Sequence, residues 1–288
     1  MAHPAVLCSN SAPDIKLGSP PAMDKCPTHF YRYRSLSAGA AEHVERTICH
    51  SELYFPKPSS FNDPFDCRPS FLFEASDEEL TSYYNRVLKK HMPQFNREQR
   101  RKEAKSMLGD WERNPRNSEA FKWVQQQHIE LITEQIGVLC LSGVKNDILM
   151  WSHYADSHRG ICLEFDGYFE FFAHTQEVKY PPVRPRINPF RQSQDEMMEA
   201  ALLTKAEHWK YEQEWRLVQY KNGSGVYRFP PEALTGVILG AQISPQDKEK
   251  VLGWVEGRTH PVKLYRSLPC DTSFSLKIEE VSLTSLRT

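Results

Sequence analysis

The chain has 288 residues, of which 40% are hydrophobic, 25% charged and 11% aromatic, and 36 Lys+Arg against 37 Asp+Glu leave a net charge of −1. That length suits one large domain or two small ones, with enough buried surface for a core that needs neither metals nor disulfides. The charge balance excludes a histone-like or tail-driven nucleic-acid binder, though not a local basic patch.

No run of 18 apolar residues is present to span a membrane, and residues 1–21 lack the charged and apolar regions of a secretory signal. The cysteines (Cys8, Cys26, Cys49, Cys67, Cys140, Cys162 and Cys270) are scattered, odd in number and never spaced as CxxC. This argues against a disulfide framework or a cysteine zinc site and points to the reducing cytoplasm.

Residues 1–27 carry five prolines and no apolar period, which predicts a disordered extension ahead of a single domain over 28–288. His29–Arg34 alternates as a strand, and Leu36, Ala40, Val44 and Ile48 space a short helix. Leu53–Phe55 is a second strand, followed by the turn-rich loop 59–69. Ser76 and Glu79 form a capping box that opens a helical layer over about 76–135. Within it, residues 89–116 hold nine basic and four acidic side chains, a net of +5.

Ile136–Ser142 reads as a central strand, 148–155 as a short helix, Ile161–Phe165 as a buried strand and Val178–Tyr180 as a shorter one. Four prolines between 181 and 189 mark a long loop. A second capping box, Ser193/Glu196, predicts a helix to about Trp209. Gln213–Tyr220, the turn 222–225 and Val226–Phe229 read as a hairpin. Gly236–Gly240 is a strand, Ser244-Pro245 caps a helix to about Val255, and 262–266 and 274–281 close as strands. The order predicts an α+β fold with a mixed, largely antiparallel central sheet and a helical insertion or covering layer.

Three stretches combine charge with aromatic surface: FNDPFD (61–66), MWSHYADSHRG (150–160) and WKYEQEWR (209–216). In the first, Asn62 and Asp63 cap a turn or face a ligand, and two carboxylates alone are a weak cation site. In the second, Trp151 and Tyr154 either pack in the core or wall a pocket for a planar ligand, with His153 beside them. The spacing of His153 and His158 is wrong for two metal ligands on one helix face. In the third, a strand over 212–218 puts Glu212, Glu214 and Arg216 on one face and Trp215 and Leu217 on the core face. That polar row is either a solvated ion pair or a carboxylate held in a cleft to stabilise a developing cation.

Taken in order, Tyr31–Arg34, Leu53–Asp66, Met150–Asp166 and Trp209–Arg216 resemble the motifs of the bacterial domain-of-unknown-function family numbered twenty-nine seventy-one. The family brings no established activity, and its members look like accessory, mobile-element or phage-defence proteins. The order of elements is also similar to that of ADP-ribosyltransferase-like proteins: an arginine strand, a helix, a short strand, then a late strand with Glu-x-Glu. A Ser-Thr-Ser motif on the second strand and a His-Gly pair on the first are missing here.

The transferase likeness implies NAD as a substrate, with no bound cofactor and no metal. It implies Glu214 stabilising an oxocarbenium ion, Glu212 orienting or activating an acceptor, and Arg32 or Arg34 holding phosphate. Asn62, Asp63, Trp151, His153, Tyr154 and Arg216 would complete the site. The leading expectation is therefore a cytoplasmic NAD-consuming transferase or glycohydrolase in defence or stress response. A non-catalytic nucleotide-sensing or interaction module is the alternative. A metal-dependent nuclease using Asp63, Asp66 and Glu214 is the third reading. A nucleotide or NAD-like small molecule is the expected partner, the acceptor stays open, and no membrane is involved.

Overall fold

The computed structural model describes residues 26–113 and 119–287. The chain runs β1 (His29–Arg34), α1 (Ala40–His50), β2 (Glu52–Phe55), β3 (Ser70–Phe71), α2 (Asp77–His91), α3 (Arg97–Arg113) and α4 (Glu119–Glu134). It continues with β4 (Gly137–Ser142), α5 (Ile148–Tyr154), β5 (Ile161–Asp166), β6 (Gln176–Glu177), β7 (Arg186–Ile187) and α6 (Gln194–Leu202). It ends with β8 (Glu214–Gln219), β9 (Gly225–Arg228), β10 (Leu234–Leu239), α7 (Pro245–Glu256), β11 (Lys263–Pro269), β12 (Leu276–Val281) and α8 (Leu283–Arg287). The expected extension lies, but for its last two residues, outside the described residues.

Eight strands form one sheet in the order β12-β11-β10-β5-β1-β4-β8-β6, in which only β10 and β11 pair in parallel. This is the expected α+β architecture with a mixed, largely antiparallel sheet. β5 and β10 are buried nearly end to end, as strands covered on both faces must be. Both capping boxes form: Ser76 and Ser193 each accept from the Glu three residues on and donate their N–H to its carboxylate. Each such cap is worth about 1 kcal/mol. Behind β4 and β8, Ile132 and Ile136 pack on Met198, Ala201 and Leu202 of α6, so α4 and α6 cover that face.

Three expected elements differ. β8 and β9 make no hairpin, because β8 already has β4 on one edge and β6 on the other, and β9 pairs with β2. The helix from Ser193 stops at Leu202. Leu203 and Lys205 leave it to bond with Lys179, accepting from and donating to its backbone at 2.8 and 3.0 Å. The strand expected at 178–180 sits earlier, at β6, with only a bridge from Lys179 to Thr204.

One irregularity creates the site. β1 pairs with β5 along its whole length but meets β4 only at Tyr31–Ser142. Beyond that pair the two strands part. The chain after β2 takes over the edge of β4, where the Val138 N–H donates to the Pro56 carbonyl at 3.0 Å. A cleft opens in the split, with arginines on one side and carboxylates on the other.

Candidate functional site

The cleft has a volume of about 440 Å³, within the roughly 300–1,000 Å³ common for small-molecule sites. β1 supplies Arg32 and Arg34, the loop after β2 supplies Phe61, Asn62 and Asp66, and β4 supplies Cys140 and Ser142. α5 contributes His153 and Tyr154, and the segment 205–214 contributes Lys205, Glu212 and Glu214.

Glu212 and Glu214 come together by a turn and not by strand alternation. Residues 207–212 form a 3₁₀ helix, and Gln213 then takes a left-handed conformation (φ 42°) before β8 begins. The turn is fastened on both sides. The Ser142 hydroxyl donates to the Glu212 carbonyl at 2.6 Å, Gly143 N–H donates to the Gln213 carbonyl at 2.9 Å, and Glu214 N–H donates to the Tyr180 hydroxyl at 2.8 Å. The expected straight Glu/Arg row is therefore bent at Gln213. Trp215 and Leu217 do face the core.

The polar row is buried and densely paired. Arg216, with no exposed surface, donates to both oxygens of Glu214 (2.7 and 2.9 Å), to Asp66 (2.7 Å) and to the Leu202 carbonyl (2.8 Å). Lys205 Nζ lies 2.6 Å from Glu212, 3.2 Å from Glu214 and 3.8 Å from Asp66. The Tyr154 hydroxyl donates to the other Glu212 oxygen at 2.7 Å. Three carboxylates against two cations leave this cluster one negative charge in excess.

The electrostatics separate the two glutamates. Burial pushes the Glu214 carboxyl up, but Arg216 and Lys205 outweigh it and hold its pKa at about 2. Burial also pushes Glu212 up. Lys205 pulls against this and Glu214 adds to it, leaving a net rise above the ordinary value. Lys205 loses by burial and gains more from Glu214, Glu212 and Asp66, so it stays charged. Burial lifts the thiols of Cys67 and Cys140, which are therefore neutral neighbours of the cluster.

The opposite wall is positive. Arg32 and Arg34 are half-buried, and neither has a carboxylate partner among the described residues. Arg32 donates to the Tyr54 carbonyl at 3.2 Å. Burial, then the charge of Arg34, brings Arg32 down to about 9, which still leaves it protonated at neutral pH. A pair of unpaired guanidiniums in a cleft is suited to a phosphate or pyrophosphate.

The turn after α5 fixes that wall. Asp156, Ser157 and His158 are all left-handed (φ 48°, 53° and 67°), a conformation unfavourable for residues with a Cβ. Backbone bonds hold it: Ser157, His158 and Gly160 N–H groups donate to Ser152, Trp151 and Ala155 carbonyls. Gly160 then passes directly against Arg34, where a Cβ would collide with the Arg34 carbonyl.

Of the residues singled out in the sequence, Arg32, Arg34, Asn62, His153, Tyr154, Glu212 and Glu214 line the cleft. Three do not. Trp151 is wholly buried, its indole N–H donating to the Lys145 carbonyl at 3.0 Å and its ring set edge-on to Tyr33 at 5.2 Å. Asp63 accepts from Phe65 N–H at 2.8 Å, shaping its own loop. Arg216 lies behind Glu214, anchoring it. Lys205 stands outside the sequence motifs, because a lysine after a helix has no local signal. Asp66, expected as a cation ligand, has Arg216 as its partner. Among the described residues no three His, Cys, Asp or Glu side chains are grouped to hold a metal ion.

The fold thus defines an α+β protein with a split sheet and a charged cleft. A model of the family described as "Protein of unknown function (DUF2971)" matches residues 150–217. The chain is similar to that family over a stretch that runs from α5 into β8 and includes Tyr154, Lys205, Glu212, Glu214 and Arg216. No curated protein and no solved structure matches the chain. Among the described residues no helix is long and apolar enough to cross a membrane.

Proposed function

We propose that the cleft binds a pyrophosphate-bearing nucleotide of the NAD type and breaks its nicotinamide–ribose bond. The observation that supports this is the cleft's polarity: unpaired Arg32 and Arg34 on one wall, and a carboxylate cluster with excess negative charge on the other. The arginines take the pyrophosphate. The carboxylates face the ribose.

The chemistry follows from that orientation. The bond between ribose C1′ and the nicotinamide nitrogen breaks, and its electron pair neutralises the pyridinium. The sugar becomes an oxocarbenium ion, as in glycoside cleavage. Water, or another nucleophile, then forms a new bond to C1′ and gives up a proton. A carboxylate fixed beside the ribose stabilises the cation as it develops.

Glu212 fits that role better than Glu214. Both Glu214 oxygens are taken by Arg216 and Lys205, whereas Glu212 accepts one bond on each oxygen and retains lone pairs. The roles expected from the sequence are thereby exchanged: Glu214 is the fixed charge behind, and Glu212 meets the substrate. Lys205 and Tyr154 hold Glu212 in place.

A second reading, a nucleotide sensor without turnover, draws on one observation: both glutamates are already neutralised in part by cations. The nuclease reading draws no such support: Asp63 accepts from its own loop, and Asp66 and Glu214 are bonded to Arg216. Calorimetric titration with NAD, run beside an assay for free nicotinamide, separates the first two. The enzyme reading expects binding and release. Arg32→Gln combined with Arg34→Gln should abolish binding, and equal binding by that variant would remove the pyrophosphate assignment.

A further inference from the structure

The loop 61–69 has two sides. Phe61, Asn62 and Asp66 face the cleft, while Phe65, Cys67, Arg68 and Pro69 line a second cavity of about 310 Å³. Lys205 lines both, so one side chain and one loop lie between the two spaces. The far wall of the second cavity is the proline-rich segment 181–185, which brings Arg184 over Phe65 at 5.4 Å.

This second space has its own recognition chemistry. Phe65 is 63% exposed, an unusual position for a phenylalanine that the core does not use. Arg184 lies over its ring and donates through Nε to the Arg68 carbonyl at 2.8 Å, so the guanidinium is held in place. Arg184 makes no ion pair with a carboxylate among the described residues, while the charge of Arg68 acts on Glu134. Among the lining residues Glu207 is the one acid, against the cations Arg68 and Arg184, since the ammonium of Lys205 is taken by Glu212 and Glu214. Prolines 69, 181, 182 and 185 add flat, rigid faces without N–H donors.

We propose that this second cavity binds single-stranded nucleic acid, a base stacking at Phe65 and Arg184 and the adjoining phosphates pairing with Arg68 and Arg184. Charge and an exposed aromatic platform side by side are what sequence-tolerant binding of a single strand requires. An acidic peptide would use the charge and leave the platform idle. Because Lys205 borders both cavities, a bound strand lies next to the cleft as an acceptor. That acceptor role rests on the glycosidic-cleavage reading above, while the binding itself does not.

The test is fluorescence anisotropy of the full chain with labelled single-stranded RNA and DNA of about ten nucleotides, a length within the usual range for such grooves. Wild type should bind with an affinity that falls steeply with salt. Phe65→Ala should weaken binding about tenfold, and Arg184→Ala should weaken it and flatten the salt dependence. Thermal melting of both variants should match wild type, since both side chains are exposed, and their nicotinamide release should be unchanged. Absence of binding, or equal binding by all three proteins, would overturn the proposal. So would displacement of the strand by an acidic peptide at equal concentration. Because binding and nicotinamide release are read separately, either assignment can fail without the other.

Discussion

Arg216 and Asp66, 150 residues apart in the chain, meet through a buried 2.7 Å bond behind Glu214. This bond ties β8 to the loop that separates the two cavities. Removing one partner of a buried ion pair leaves an uncompensated charge, which costs about 3–5 kcal/mol. Arg216→Met should lower stability by that amount, since it strands both Asp66 and Glu214. Asp66→Asn should cost less, because Arg216 keeps Glu214 and the Leu202 carbonyl. Denaturant midpoints check both, and a wild-type midpoint for Arg216→Met would show the pair to be dispensable.

Acid sensitivity follows from Glu214. Its pKa is held at about 2 in the folded chain against an ordinary 4.5. The stability it contributes is therefore complete above about pH 4.5 and is lost as the pH falls toward 2. Glu212, raised by burial, runs the other way: its contribution is present below the ordinary value and is lost as pH rises through its folded value. Glu214→Gln should flatten the decline in stability between about pH 4.5 and 2, and Glu212→Gln should not. Unfolding curves across that window decide the matter. An unchanged acid limb in Glu214→Gln would contradict the assignment.

Tyr154 positions Glu212, and its hydrogen bond favours the ionised form. Tyr154→Phe should cost roughly 1.5–3 kcal/mol of stability, as a bond to a charged group. It should also move the rising limb of the pH–rate profile for nicotinamide release to higher pH, because the ionised carboxylate is the working form. A slower enzyme with an unmoved profile would mean that Tyr154 only packs.

Two glycines give a matched contrast. A Cβ at Gly160 collides with the Arg34 carbonyl, while nothing lies within 4 Å of one at Gly253 in α7. Gly160→Ala should destabilise by about 1–3 kcal/mol, as overpacking does, and weaken nucleotide binding by shifting Arg34. Gly253→Ala, in a helix interior, should stabilise by roughly 0.5–1 kcal/mol and leave binding unchanged. Melting and NAD titration of the two variants test this, and identical binding by both would detach Arg34 from the ligand.

Local pattern carried much of the fold. The capping boxes at Ser76 and Ser193, the apolar runs of β4, β5 and β10, and the Ser244-Pro245 start of α7 are encoded within a few residues of where they act. Pairing across the chain is not. Nothing near 213–229 tells that β6 will occupy the second edge of β8 and send β9 to β2. The same limit governs the site. The aromatic and charged motifs marked the cleft, yet Trp151 reads alike as wall or core until Tyr33 and the Lys145 carbonyl are seen to enclose it. Lys205 gains its meaning from carboxylates on two other segments. Gln213 gives no composition signal of the left-handed turn that brings Glu212 beside Glu214.

In the proposed reaction Glu212 meets a ribose cation formed when nicotinamide leaves. The most direct measurement is nicotinamide released from NAD by the purified chain, compared with Glu212→Gln folded to the same melting temperature. Release by wild type and a loss of at least a hundredfold in the variant, the scale of removing one transition-state charge contact, is the predicted result. Undiminished release by Glu212→Gln, or none by wild type that binds NAD, would contradict it.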